Sequence, residues 1–480
     1  MTANAQPAAG ETPMLPVAGR RDRALTEPVI LLLVVLALMT VGVLMVYSAS
    51  RKAYVAGDTW YFTKHLMFVP IAIGAMILGS WLPYGRLNRR WIALGVLGVT
   101  VALLALVLVP GLGIERGGAR RWFEIPLGSL RISLQPSEFT KLGLVLFLAW
   151  FFGQPRGNSP FDRLRAVSEV ERQHTASRWR WLAWFKRRLV ADPRSILKGF
   201  LPAMMAIGLV CVLIVKEDFG TAALVGLVAT AIALIAGWRW WFPLLVAVPG
   251  AIGFYFTVVQ VPYRMERLKV WWDPWQYIDG AGWHVCQSLM GIGSGGMAGT
   301  GLGAGTQKLY IPENTTDFIF AVICEEMGLL GGLLVLGLFA VFVWRAGRIV
   351  RDAPDRFGFL LAAGILLVIG LQACLNMGVV TGALPAKGIS LPFISYGGSG
   401  LVMMSFAAGL LISVARASAV ARSSQPLVYV PPVRQDAAVR VQTTEDRVRC
   451  GLVRRSLLGE GGSTGEVAPA EDAKDEAGDA

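Results

Sequence analysis

Between Val261 and Met327 an otherwise apolar chain turns polar, and the residue types there suit acid–base work on an anionic substrate. Arg264, Arg267 and Lys269 precede Asp273, Tyr277 and Asp279. A glycine-rich run, GIGSGGMAGTGLGAG, follows, and Asp317, Glu325 and Glu326 close the stretch at the outer end of an apolar helix. An earlier loop, GIERGGARRWFEIPLGSLRISLQPSEFTKLG, holds Arg120 and Arg121 and ends on Glu138 and Lys141, which share a helix face. The short turn VKEDFGTA gathers Lys216, Glu217 and Asp218. Arginine forks match phosphate oxygens bidentately, and acids at membrane depth face an interior or a wet cavity. Each group also has a plainer role: Glu115 or Glu124 can pair the arginines, Glu138 and Lys141 can pair each other, and Asp218 suits a helix N-terminus. His284 is the one histidine of the stretch and has no second His or Cys at ligand spacing, which argues against zinc. GxxxxGK[ST] is absent, so the glycines form no Walker loop.

The elements that must position these residues are membrane helices. Of 480 residues 54% are hydrophobic and 16% charged, and the mean hydropathy is +0.55. Apolar runs at about 28–49, 66–83, 91–110, 136–153, 199–215, 220–238, 242–260, 316–344, 357–379 and 395–415 reach or approach the roughly 20 residues that cross a bilayer. The fold class is therefore an all-α, polytopic membrane protein with about ten spans. Arg86, Arg89, Arg90, Arg239, Arg345, Arg348, Arg351 and Arg356 fall in alternate loops, which places both termini in the cytoplasm and a large loop, 261–315, outside. Residues 1–27 read as a disordered basic arm, 28–416 as the membrane domain, 154–198 as a basic cytoplasmic insertion and 417–480 as a disordered cytoplasmic tail. The net charge of +13 follows from this topology and implies a lipid surface rather than a nucleic acid. Five scattered cysteines indicate neither disulfides nor a metal site.

The segments ARRWF…QPSEFTKL (119–142), EDFGTA (217–222), PYRMERL (262–268), GAGWHVCQSLMGIGSGG (280–296), GLGAGTQKLYIPENTTDFIFAVICEEMGLLG (301–331) and NMGVVTGALPAKGISLPFISYGGSGL (376–401) resemble, in order, those of the SEDS family (FtsW, RodA and SpoVE). PAKG followed by SLPFISYGGSG resembles the FtsW and SpoVE division branch more than the elongation branch. The resemblance implies ten helices around an outward cavity in the bacterial cytoplasmic membrane. It further implies polymerisation of lipid II into β-1,4 glycan beside a class B penicillin-binding transpeptidase and other divisome or elongasome membrane proteins.

That chemistry needs a base for an acceptor hydroxyl and cations for a departing diphosphate. The substrate-binding candidates are Arg120, Arg121, Glu138, Lys141, Lys216, Asp218, Asp317, Glu325, Lys387, Ser395, Gly397, Gly398 and Ser399. Glu138, Asp218, Asp317 and Glu325 leave room for a divalent cation, magnesium or manganese. The family's Asp-Pro-x-x-Asp-Pro-x-Gly-x-Gly-aromatic pattern, laid from Asp273 to Gly282, puts Tyr277 at the catalytic aspartate. A phenol of ordinary pKa ~10 is a poor base at neutral pH, so Asp279 and then Asp273 are the expected substitutes. An impaired divisome scaffold and a lipid-linked precursor transporter are the competing functions.

Overall fold

The computed structural model describes residues 19–50, 60–116, 119–127, 130–154, 192–215 and 218–423. The arm 1–18, most of the basic insertion, Lys216 and the tail from residue 424 lie outside the described residues. The helices are α1 (Gly19–Ser50), α2 (Trp60–Trp81), α3 (Arg90–Val107), α4 (Pro136–Gly153), α5 (Leu201–Val215), α6 (Phe219–Ile235), α7 (Phe242–Phe254), α8 (Pro262–Trp272), α9 (Trp283–Gly295), α10 (Ile319–Arg351), α11 (Arg356–Val380) and α12 (Gly398–Ser423). The first of them starts inside the stretch expected to be an arm.

Seven segments are long and apolar enough to cross a membrane: Thr26–Ser50, Trp60–Trp81, Arg90–Val107, Ile196–Val215, Ile319–Arg351, Arg356–Val380 and Gly398–Arg422. The apolar helices α6 and α7 are shorter, and α4 carries Glu138 and Lys141. In chain order they fall on the spans expected from hydropathy, while α8 and α9 lie within 261–315, the loop expected outside. Leu148 and Phe152 of α4, Ile232 of α6 and Leu361 of α11 are fully buried at the centre. By contrast, α7 buries only Phe242 and exposes Leu244, Val248 and Ile252, as suits a lipid-facing helix. Arginines collect at one end: Glu27 accepts hydrogen bonds from Arg345 and Arg348, each at 3.0 Å, and Arg356 donates to the Ala236 carbonyl at 2.6 Å.

Two features lie beyond an all-α reading of simple spans. The loop after α3 folds as an antiparallel sheet in the order β1 (Ile114–Arg116), β2 (Ala119–Leu127), β3 (Leu130–Leu134), with Phe123 paired to Leu134 and Ile125 to Ile132. Second, α10 is broken at Gly328, where φ is 67°, a left-handed conformation open to glycine. The glycine-rich run fills the break. Thr300 N–H donates to Glu325 O at 3.0 Å, Gly301 N–H to Glu326 O at 3.1 Å, and Leu329 N–H to Gly296 O at 2.9 Å. A side chain at Gly328 would strike the backbone of Gly299 and Met297. The glycines thus permit close approach to a helix backbone.

Candidate active site

Separate connections between the helices converge on one charged cluster. Asp218 caps α6, accepting from Gly220 N–H at 3.0 Å and from Thr221 N–H at 3.1 Å and Oγ1 at 2.8 Å. Arg121 of β2 brings its Nη1 to 3.9 Å from the second oxygen of Asp218. From α8, Arg264 donates to the Val215 carbonyl and Arg267 to the Ala386 carbonyl, both at 3.3 Å. These bonds anchor the helix to the turns that precede α6 and α12. Lys387 lays its methylenes against Gly220, where a Cβ would collide with them, and holds its ammonium 3.8 Å from the centre of the Phe219 ring. Next to it, a Cβ at Gly388 would come within 2.7 Å of an Asp317 carboxylate oxygen.

Charge is unevenly balanced here. Burial pulls the Lys387 ammonium down to about 7; Asp218 opposes that pull, while Arg264, Arg267 and Arg121 reinforce it. Asp317 is pushed up to about 7, chiefly by dense packing around a side chain that keeps a part-exposed edge, then by Glu313 and Asp218, against Arg121 and Arg267. Arg121, Arg264, Arg267 and Lys387 thus meet around Asp218 and Asp317, an arrangement suited to an incoming polyanion.

A buried polar chain supports the cluster from below. Lys141 bridges Glu138 Oε1 and Gln372 Oε1, each at 2.7 Å, and Gln372 Nε2 donates to the Ser390 carbonyl at 2.9 Å. One helical turn on, Asn376 donates to the carbonyls of Asp317 (2.7 Å) and Ile389 (2.6 Å). Glu138 and Lys141 are thus placed to shape the cluster through α11, at a remove from it. Ser395 also holds backbone: its hydroxyl donates to Thr316 O at 2.6 Å and accepts from Leu391 N–H at 2.7 Å. Ser399 accepts from Gln135 N–H at 3.2 Å. Gly398 lies against the Phe68 ring, and a Cβ at Gly397 would meet nothing within 4 Å. Nearby Phe393, buried and at φ 65°, stores backbone strain in this turn.

Other candidates lie elsewhere. Glu325 accepts the backbone N–H groups of Thr306 (2.6 Å), Gln307 (2.8 Å) and Lys308 (3.3 Å), which satisfies it inside the fold. Arg120 pairs with Glu115 at 3.4 Å. Asp273 follows the last residue of α8 and accepts Gln276 N–H at 3.3 Å; both it and Asp279 are exposed, and Tyr277 is half-buried. Lys216 lies outside the described residues. Sequence reasoning kept Arg264, Arg267 and Glu313 out of the site, because only the fold brings α8 against the turn at 386–387. Among the described residues no three His, Cys, Asp or Glu side chains group to hold a metal ion. Asp218 and Asp317 stand amid Arg121, Arg267 and Lys387, a donor set that does not fit a resident divalent cation.

Known proteins share this arrangement of chain. Residues 29–420 match the family described as cell cycle protein, FtsW, RodA and SpoVE. Stage V sporulation protein E of Bacillus subtilis is 38% identical over 401 residues, covering 82% of this chain and 98% of that one. A probable peptidoglycan glycosyltransferase FtsW of Trichlorobacter lovleyi is 37% identical over 409 residues, covering 84% and 96%. Among solved structures, a chain of a peptidoglycan synthase complex that coordinates polymerization and crosslinking superposes with a TM-score of 0.60 at 26% identity, covering 81% of this chain and 97% of that one. RodA of Thermus thermophilus gives 0.52 at 25%, covering 81% and 96%. With the family match spanning residues 29–420 and relatives 37–38% identical over nearly their whole length, the chain belongs to the FtsW, RodA and SpoVE family.

Proposed function

We propose that this chain is a peptidoglycan glycosyltransferase of the bacterial cytoplasmic membrane that polymerises lipid II into β-1,4 glycan during division or shape maintenance. The observation that carries this reading is the convergence of Arg121, Arg264, Arg267 and Lys387 on one outer site. In the reaction the oxygen of an acceptor sugar hydroxyl attacks the anomeric carbon of the donor. The carbon–oxygen bond to the lipid diphosphate breaks, and its electron pair leaves with the diphosphate. Charge grows on the phosphate oxygens as that bond stretches, and pre-placed cations favour that state over the ground state. Arriving phosphate also raises the proton affinity of Lys387, recharging an ammonium that burial holds near neutrality.

A class B penicillin-binding transpeptidase is the proposed partner, supported by the resemblance to a chain of a synthase complex. Incubating purified full-length protein with fluorescent lipid II, alone and with such a partner, tests the activity. A ladder of glycan products is expected. Lipid II binding without any polymer would favour instead a divisome scaffold, the reading to which Tyr277, standing where the family's aspartate is expected, lends weight.

A further inference from the structure

We propose that His284 is the proton acceptor of glycosyl transfer in this chain, in place of a carboxylate of the 273–279 loop. This rests on the polymerase reading above. The imidazole is held firmly at the start of α9. Gly282 N–H donates to the Tyr277 carbonyl at 3.0 Å, Trp283 Nε1 donates to the Tyr310 carbonyl at 2.9 Å, and Cys286 Sγ donates to the Pro274 carbonyl at 3.2 Å. The ring stacks on Phe318, with centroids 6.1 Å apart and planes at 30°. Phe318 directly follows Asp317, and Arg267 of the cluster acts on the imidazole.

Its Nδ1 is buried and has no hydrogen-bond partner. A histidine serving only as packing would leave that nitrogen unsatisfied at a cost; on this proposal donor binding opens that edge and a substrate hydroxyl satisfies it. Two charged groups act on the ring, Arg267 from α8 and Glu313 from the connection before α10. Both also act on Asp317, and α9 itself contributes no other charged residue. Burial and then Arg267 lower the proton affinity of His284, while Glu313 raises it, so the free ring is neutral at pH 7 and able to accept. When diphosphate occupies Arg267, the guanidinium's opposition is cancelled and the pull of Glu313 remains. The base therefore strengthens as the donor lipid binds. Neither Asp273 nor Asp279 is among the groups that act on Lys387 or Asp317.

The step balances without a further reactant. The acceptor hydroxyl gives its proton to Nδ1 as its oxygen bonds the anomeric carbon, the diphosphate departs with the electron pair, and the imidazolium later releases its proton to solvent. The test is lipid II polymerisation by the full chain in detergent, wild type against His284→Gln and Asp279→Asn, with lipid II binding and thermal melting followed in parallel. His284→Gln is expected to slow polymerisation by about 100-fold with binding retained. Asp279→Asn should stay within about 3-fold, far below the loss that removing a general base causes. The wild-type kcat/KM should fall on an acid limb lying below pH 6.5 but above the carboxylate range. Retained activity in His284→Gln, or a wild-type limb in the carboxylate range, overturns the assignment. The limb decides the matter even if the variant does not fold. A wild type that binds lipid II and makes no polymer sinks the polymerase reading itself, whereas an active wild type matched by His284→Gln sinks only the histidine.

Discussion

Two groups of acids sit near one end of the helix bundle and are held by different kinds of partner. Glu325 and Glu326 are 1% exposed and saturated. The first takes three backbone N–H groups; the second takes Lys308 Nζ at 2.7 Å and Ser48 Oγ at 2.6 Å. Asp218 caps α6 and pairs with Arg121, Asp317 feels Arg121 and Arg267, and the nearby Lys387 is half-stripped of its charge by burial. The saturated pair shapes the backbone, joining α1, the glycine-rich run and α10. The second pair sits among cations, one of which titrates near 7, so its charge can respond to pH and to a ligand. The acids are thus of two kinds, and the kind of partner separates them better than burial does.

Several experiments would break or sharpen that contrast. Glu326→Ala strands the Lys308 ammonium, 3% exposed, and should cost about 3–5 kcal/mol, seen as a large fall in melting temperature and in membrane accumulation. A melting point within about 2 °C of wild type would mean that the pair does not hold the fold. Lys387→Met should do the reverse. Polymerisation falls by about 100-fold, yet melting is unchanged or higher, because a desolvated cation has been removed.

Proton linkage provides a third test. As pH rises through about 7, Lys387 loses its charge and Asp317 gains one; both changes disfavour a polyanion. Affinity for a diphosphate lipid should drop about tenfold between pH 6 and 8, and titration calorimetry in buffers of different ionisation enthalpy should show proton uptake at pH 7.5. A flat profile would remove these two residues from the binding step. The smallest effect is expected of Gly220→Ala, which pushes the Lys387 methylenes aside and should raise KM about 3-fold with melting intact, a displacement worth well under 1 kcal/mol.

Much of this was legible in the sequence, and what was not has a common cause. Hydropathy located the spans because transfer into lipid is a local, additive property of a segment. The charged candidates Arg121, Asp218, Asp317 and Lys387 were visible as polar residues in outer loops. The role of Glu325 was hidden because its partners are main-chain N–H groups, which no residue type announces. Arg264 and Arg267 joined the site through carbonyls at 215 and 386, contacts that depend on how α8 lies. Likewise the break in α10 depends on a run about thirty residues upstream in the chain, and no periodicity within the helix reveals it. His284 was weighed only as a zinc ligand, since its lone ring gives no spacing to read.

The interrupted helix also bears on biogenesis. Backbone groups freed at a break in a membrane span cost several kcal/mol each unless something meets them, and for α10 the partner is the segment Gly296–Gly301. That segment is translated before the span it completes. On the proposed topology it already stands outside when α10 reaches the lipid, so insertion of the span and docking of the loop form a single event. Lengthening the stretch between residues 301 and 319 should therefore delay assembly of the newly made protein while sparing the stability of molecules that have matured.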